Sequence, residues 1–347
     1  MPERETSAPP RRAPPEPLRS KFAGSLLGGM LGDIVGAVVE GESPRYIRKT
    51  FRSVGDILTT KHVEELFGGE WLVGRFTDDT QMSLCVAEWL LEEATPEPRN
   101  LLARFSEAYR PGRRYGPGVA RILEAFPLHA DEWRALATMM FPGGSYGNGS
   151  AMRVGPIGCY YYEDVDSLIE AARLSSLTTH SHPLGVQGAT LQAAAVAAAV
   201  RATPPLSAER FVASLDEVLS RLQRTGQDVS AYRRAVRTIS RGLAAGLEPS
   251  ALAQSVGTGV TALEAVPMAI CCFLAHPESF ERVIEEAVFL GGDTDTIAAM
   301  AGAIAGAFLG SSAIPPRWLE RVQEEHYTPE RVERLAEALL EKALRKV

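Results

Sequence analysis

Cysteine is scarce in this 347-residue chain, basic residues are outnumbered, and runs with strand character are almost missing. The four cysteines, Cys85, Cys159, Cys271 and Cys272, form no C-x-x-C pair and sit in apolar stretches. They are expected as buried reduced thiols rather than as disulfides or a thiolate metal site. Lys and Arg number 36 against 43 Asp and Glu, a net charge of -7. A binder of phosphate backbones normally carries a basic excess or a Lys/Arg-clustered face, so no nucleic-acid partner is expected. The N-terminus has no apolar h-region, and its basic residues are interrupted by Glu3, Glu5 and Glu16. Neither a secretory signal nor a transit peptide is expected, and the cytoplasm is the expected compartment. A nucleophile elbow following a strand, a Walker loop and a dinucleotide fingerprint are also missing, which removes support from nucleophilic and redox chemistry. Phe22 to Val39 and Val288 to Leu309 approach the hydrophobicity of membrane spans. Both carry aspartate and are dominated by Gly and Ala, so buried helices are expected and no membrane partner.

What is present is helical periodicity. Residues 1 to about 20 hold Pro2, Pro9, Pro10, Pro14, Pro15 and Pro17 among Arg and Glu, too little apolar area to offset the cost of ordering. A disordered tail over 1–20 and a single domain over 21–347 are expected. From Phe22, Gly24, Gly28, Gly32 and Gly36 recur every fourth residue, which puts small residues on one helix face where another backbone can approach. Further helices are expected over Asp79 to Glu93, Leu101 to Tyr109, Val165 to Leu174, Leu184 to Arg201, Ala208 to Gln223 and Ser230 to Ala245. Four more follow over Val260 to Ala275, Ser279 to Leu290, Asp295 to Leu309 and Pro329 to Arg345. The β-branched candidate Tyr46 to Val54 is short, a parallel sheet fits poorly, and the fold class is all-α. Glycine-rich stretches at Gly41 to Pro44, Gly143 to Ser150 and Gly291 to Gly292 adjoin polar residues, the kind of loop that carries ligand sites.

The strongest local pattern is Gly291-Gly292-Asp293-Thr294-Asp295-Thr296 opening a helix of small residues. Asp or Thr at a helix start commonly caps it, but capping needs one such residue rather than alternating carboxylates and hydroxyls. These hard oxygens suit Mg²⁺. A matching group, Thr77-Asp78-Asp79-Thr80, opens another helix, and its adjacent aspartates repel unless a cation or solvent compensates. Two such groups could converge on a pair of ions. Glu40, followed by Gly41-Glu42-Ser43-Pro44, is either a solvated helix end or a carboxylate on a mobile loop fit for proton transfer. Asp33, inside the glycine stripe, is costly to bury unless hydrogen-bonded and is expected as a structural acid. Ser145 to Arg153 offers closely spaced amides that can cradle a pyrophosphate. His180 and His182 lack a third ligand at zinc spacing, so hydrogen bonding or ring stacking is expected of His180.

Together, Gly28 to Gly41 with Glu40, Thr77 to Thr80, Ser145 to Arg153, Thr179-His180 and Gly291 to Thr296 resemble the ADP-ribosylglycohydrolase family, in that family's order, over about Phe22 to Gly310. Phe141 to Arg153, Val266-Pro267-x-Ala269-Ile270 and Gly292 to Gly306 look most like the branch acting on serine-linked ADP-ribose. The arginine-directed, dinitrogenase reductase-activating branch shares several of these motifs. One departure is that Phe141 to Ser145 is a residue shorter than in the serine-directed branch.

The resemblance implies an orthogonal multi-helix bundle with a central dimetal cleft holding two Mg²⁺ ions, for which Mn²⁺ can substitute. It implies Thr77, Asp78, Asp79 and Asp295 at one ion, and Asp293, Asp295 and Thr296 at the other with Glu40 beside it. Ser145, Tyr146, Gly147 and Asn148 would hold the diphosphate and proximal ribose, while Phe141, His180 and Val260 would border the adenosine. The implied reaction is Mg-dependent hydrolysis of the bond joining ADP-ribose to a protein side chain, with Glu40 and Asp79 catalytic. Serine linkage is favoured, with poly-ADP-ribose and O-acetyl-ADP-ribose as further substrates and ADP-ribosyl-arginine as the alternative. The implied partners are ADP-ribosylated proteins or peptides and free ADP-ribose, met by a monomer. A dimetal hydrolase of phosphate esters or nucleotide sugars is a rival class. A non-catalytic ADP-ribose-binding relative would lack a ligand, yet Glu40, Asp78, Asp79, Asp293 and Asp295 are all present.

Overall fold

The computed structural model describes residues 15–59, 73–93 and 95–346. Its helices, in chain order, are α1 (Glu16–Gly36), α2 (Pro44–Thr50), α3 (Val54–Thr59), α4 (Asp78–Glu92), α5 (Pro98–Ala108), α6 (Pro117–Ala125), α7 (Trp133–Leu136), α8 (Gly155–Tyr160) and α9 (Val165–Leu177). They continue as α10 (Pro183–Arg201), α11 (Ala208–Arg224), α12 (Ser230–Ala244), α13 (Pro249–Val256), α14 (Ala262–Ala275), α15 (Phe280–Phe289), α16 (Thr294–Leu309), α17 (Pro316–Leu319) and α18 (Pro329–Leu344). Among the described residues extended pairing is limited to one isolated bridge, Gly147 to Thr261. The all-α expectation holds. The candidate strand Tyr46 to Val54 is instead covered by α2, its Phe51 turn and the start of α3, because Ser43 caps Tyr46 N–H and Pro44 presets the first turn.

The centre of the molecule is the packing of α1 along α16. Glycine or alanine recurs on both contact faces, so the two backbones touch: a Cβ at Gly32 would stand 2.1 Å from the Ala298 carbonyl oxygen, and one at Gly24 2.3 Å from that of Gly306. This is the close approach that the four-residue glycine spacing predicts. Helices α10, α14 and α15 pack on α16, while α18 and α8 pack on α1. Among the described residues, Pro183–Arg201 alone is long and apolar enough to span a bilayer, and 83% of its apolar window is buried inside the fold. Two lysines close helix ends: Lys21 Nζ donates to the carbonyl of Val200 at 2.8 Å, and Lys342 Nζ to those of Leu90 and Leu91 at 2.9 Å and Glu93 at 2.8 Å. Each places a cation on the negative end of a helix dipole.

The expected segment 1–20 overlaps a helix at its C-terminal end. Helix α1 already begins at Glu16, with Pro17 in its first turn, where a fixed φ and a missing N–H cost nothing. Residues 1–14 lie outside the described residues.

Candidate metal and ligand site

The site forms where the C-terminal end of α1 meets the N-terminal ends of α4 and α16. Asp33, fully buried, ties α1 to α4: Thr77 N–H and Oγ1–H donate to it at 3.0 and 2.8 Å, and Thr80 N–H and Oγ1–H at 3.0 and 2.6 Å. Burial pushes its carboxyl up to about 6, and these four bonds restrain the rise. Asp33 is thus a structural acid that fixes where Asp78 and Asp79 point.

Glu40 follows the end of α1 in a tight turn whose backbone is pinned. Gly41 N–H donates to Gly292 O at 2.8 Å, and Gly292 N–H returns a bond to Glu42 O at 3.2 Å. Gly291 and Gly292 have φ of 69° and 79°, and a Cβ at Gly292 would meet Thr258 O at 2.3 Å, so this crossing needs glycine twice. The loop expected to be mobile is therefore clamped to the Asp293 turn. Arg114 holds the Glu40 side chain, reaching Oε2 at 3.1 Å and the Ala37 carbonyl at 2.7 Å. Its own φ is 60°, a rare value for a residue with a Cβ. The neighbouring Arg113 turns the other way, onto Glu324 at 2.6 and 2.7 Å.

One oxygen from each of Glu40, Asp293 and Asp295 comes within 4.8 Å of the others. Asp293 occupies the N-cap position of α16, yet its side chain caps nothing. It accepts instead from Asn148 Nδ2. At α4 the cap is Thr77, whose Oγ1 accepts from Asp79 N–H at 3.3 Å, which leaves both aspartates for other work. Burial pushes the carboxyls of Asp78, Asp79 and Asp295 well above the usual range, and repulsion adds to it: Asp33 acting on Asp78 and Asp79, and Asp79 on Asp295. Asp293 is raised for the same first reason and eased by Asn148. Such a group of buried acids is stable when divalent cations compensate it. The residues fit cations: Asp79 Oδ1 is buried with no hydrogen-bond partner among the described residues, an orphaned acceptor beside hard oxygen donors that suit Mg²⁺ or Mn²⁺.

Above the acids lies a cleft of about 330 Å³. One wall is the loop Ser145 to Ser150. Asn148 N–H bonds to Val260 O at 3.0 Å, Gly147 N–H to Ser145 Oγ at 3.2 Å, and residues 148–150 make a single 3₁₀ turn. His180 stands beside this loop, its ring flush against Gly149, where a Cβ would stand 2.6 Å from Cε1. Burial and the nearby Arg153 push its imidazole down to about 3, so it is uncharged at neutral pH.

A family model described as ADP-ribosylglycohydrolase matches residues 14–346. The chain belongs to the ADP-ribosylglycohydrolase family. Membership makes it a hydrolase acting on ADP-ribose glycosidic bonds. It is similar to the ADP-ribosylhydrolase ARH3 of Gallus gallus, 34% identical with 88% of this chain and 89% of the relative covered. It is similar also to ADP-ribosylhydrolase ARH3 of Homo sapiens, at 33% identity over 86% and 88% of the two chains. A solved structure titled ADP-ribosylglycohydrolase-related protein complex superposes with a TM-score of 0.65 at 27% identity, covering 94% of this chain and 99% of its own.

Of the residues expected at the site of this glycohydrolase, Glu40, Asp78, Asp79, Asp293, Asp295 and Thr296 line the cleft, as do Phe141, Ser145, Gly147, Asn148, His180 and Val260. Two differ. Thr77 is fully buried at the N-cap of α4, where its hydroxyl donates to Asp33 Oδ1 at 2.8 Å and its oxygen accepts from Asp79 N–H at 3.3 Å. Tyr146 has an exposed ring that stands edge-on to His182 at 5.5 Å, and its carbonyl accepts from Ala262 N–H at 3.1 Å. Arg114 and the α6 wall at Gly118 and Ile122 also line the cleft, and sequence reasoning missed them. The only local signal was arginine among closely spaced glycines, Gly112-Arg113-Arg114-Tyr115-Gly116.

Proposed function

We propose that this glycohydrolase releases ADP-ribose from serine side chains of modified proteins with two Mg²⁺ ions, Mn²⁺ being able to substitute. The observation that carries the reading is the meeting of Glu40, Asp293 and Asp295 within 4.8 Å at the base of a cleft walled by Asn148 and His180. Asp78, Asp79, Asp295 and Thr77 would hold one ion, and Asp293, Asp295, Thr296 and Glu40 the other. When bound, such ions act as Lewis acids toward sugar hydroxyls and lower the pKa of water.

The chain's own groups account for the rest. Glu40, Asp78, Asp79, Asp293 and Asp295 together offset the charge of two divalent ions. Glu40, oriented by Arg114, passes a proton between water and the leaving oxygen while the glycosidic bond breaks with oxocarbenium character. Asp79 takes part through the oxygen that the protein leaves unpartnered. Ser145, Gly147 and Asn148 bind the diphosphate and proximal ribose, while His180, Phe141 and Val260 border the adenosine. Serine linkage is supported by the likeness of Phe141 to Arg153 and of Gly292 to Gly306 to the serine-directed branch, and ADP-ribose release by the names of the relatives. We propose that the protein acts as a monomer in the cytoplasm.

The test is release of free ADP-ribose, with and without Mg²⁺, from peptides modified at serine and at arginine. Metal-dependent release from the serine peptide is expected. Release from arginine alone would keep the chemistry and reverse the linkage. Release of AMP or phosphate instead would overturn the reading in favour of a phosphoesterase.

A further inference from the structure

We propose that Arg153 and Thr179 are positioning residues that hold His180 as the tautomer protonated on Nε2, which then donates a hydrogen bond to an oxygen of ADP-ribose in the cleft. That the acceptor belongs to ADP-ribose rests on the function proposed above; the tautomer does not.

Arg153 is fully buried, and its oxygen partners are hydroxyls and a carbonyl rather than a carboxylate. Its guanidinium lies 4.8 Å over the Phe105 ring and donates to Ser175 Oγ at 3.3 Å, Ser175 O at 2.6 Å, Thr178 Oγ1 at 3.0 Å and Thr179 Oγ1 at 2.9 Å. A guanidinium has donors only, so Thr179 Oγ1 must accept from it. The other partner of that hydroxyl is His180 Nδ1, at 2.7 Å. Thr179 has one proton to give, and this nitrogen is the acceptor that remains among the described residues. Nδ1 therefore accepts, and the ring proton sits on Nε2. The opposite arrangement, with Nδ1–H donating to Thr179, would leave a buried hydroxyl hydrogen with no acceptor.

Nε2 lies beside the loop that walls the cleft. The ring edge lies against two glycines of the 145–150 loop, where Cβ atoms would stand 3.3 Å from Nε2 at Gly147 and 2.9 Å at Gly149. His180 lines the cleft, its Nε2 makes no hydrogen bond among the described residues, and burial keeps the ring uncharged beside the Arg153 cation. A buried cation at the head of a hydrogen-bonded chain polarises each link toward its far end. The Nε2–H is thus a strengthened donor, suited to a ribose oxygen on the adenosine side. It cannot be a general acid, because its ring has no second proton to lose at neutral pH.

The experiment is long-range ¹H–¹⁵N NMR on histidine-labelled full-length protein at neutral pH, with His180 assigned through His180→Gln, joined to ADP-ribose titration of Thr179 variants. In the wild type Nε2 is expected protonated and Nδ1 not. Thr179→Ser keeps that pattern and the affinity. Thr179→Val is expected to mix the tautomers and weaken ADP-ribose binding roughly tenfold, raising KM more than it lowers kcat. Protonation of Nδ1 in the wild type overturns the proposal, with no need for a variant to fold. An unchanged tautomer in a folded Thr179→Val overturns the role of Thr179. The expected tautomer together with no ADP-ribose binding would sink the assigned substrate and leave the positioning intact.

Discussion

Gly28 and Gly302 meet backbone to backbone: a Cβ on Gly28 would stand 2.3 Å from the Gly302 carbonyl oxygen, and one on Gly302 would stand 2.2 Å from that of Gly28. Neither clash can be relieved without separating α1 from α16, the helices whose ends carry Glu40 and Asp293. Gly302→Ala is expected to cost about 2 kcal/mol or more, from overpacking against a rigid backbone. Gly29, one residue along from Gly28 on α1, has room: a methyl added there would lie 3.5 Å from Ala299 O and 3.6 Å from Ala303 Cβ. Gly29→Ala is expected to be neutral or to stabilise by up to about 1 kcal/mol through helix propensity. Denaturant midpoints check both, and equal effects of the two substitutions would refute the close-contact argument.

The acid cluster makes stability depend on pH and on cations together. Asp78, Asp79, Asp293 and Asp295 have carboxyls raised by burial in the folded state, and Asp33 sits at about 6. A raised folded value means the folded state holds protons more tightly than the unfolded one, so this contribution is present at low pH and lost as pH rises through the raised values. Cation-free protein is thus expected to gain stability from these groups on going from about pH 8 to about pH 5. Mg²⁺ needs ionised ligands and should raise the melting temperature more at about pH 8 than at about pH 5. Melts in chelator and in Mg²⁺ at both values check it; a cation effect independent of pH would count against these acids as ligands.

Asp295 lies among the raised acids, with Asp79, Asp293 and Glu40 all acting on it. Asp295→Ala is expected to weaken Mg²⁺ binding by more than about a hundredfold, beyond the usual effect of losing an outer support. The same change removes a buried, repelled carboxylate, so the cation-free protein should keep or gain stability. Calorimetric titration with Mg²⁺ reads the first effect and thermal unfolding in chelator the second. Undiminished affinity would remove Asp295 from the ligand set.

Glu40→Gln is expected to lower kcat by about a hundredfold or more, the scale of a lost proton-transfer group. Arg114→Gly tests the support: glycine accepts the φ of 60° without strain, so the fold should hold, while Glu40 loses its 3.1 Å partner. We expect about a tenfold fall in kcat from that change, by loss of positioning. Steady-state rates of ADP-ribose release check both, and wild-type turnover in Glu40→Gln would end the catalytic assignment.

Local spacing in the chain carries the all-α class and the small-residue helix pairing. Glycine every fourth residue in α1 and the Gly/Ala run of α16 permit one kind of contact, backbone against backbone, and that is a matter of local spacing. It also marked the acids at Asp78, Asp79, Asp293 and Asp295, because alternating carboxylates and hydroxyls at a helix start exceed what capping requires. What those acids face follows from how the helices pack. That Asp33 takes the hydroxyls of both Thr77 and Thr80, that the Glu40 turn is clamped to Gly292, and that Arg114 reaches back to Glu40 are contacts between residues far apart in the chain. Tyr146 shows the limit: its place in a loop was legible, but the pairing of that loop with the start of α14, where Ala262 N–H meets the Tyr146 carbonyl, joins residues far apart in the chain, and no local pattern carries that.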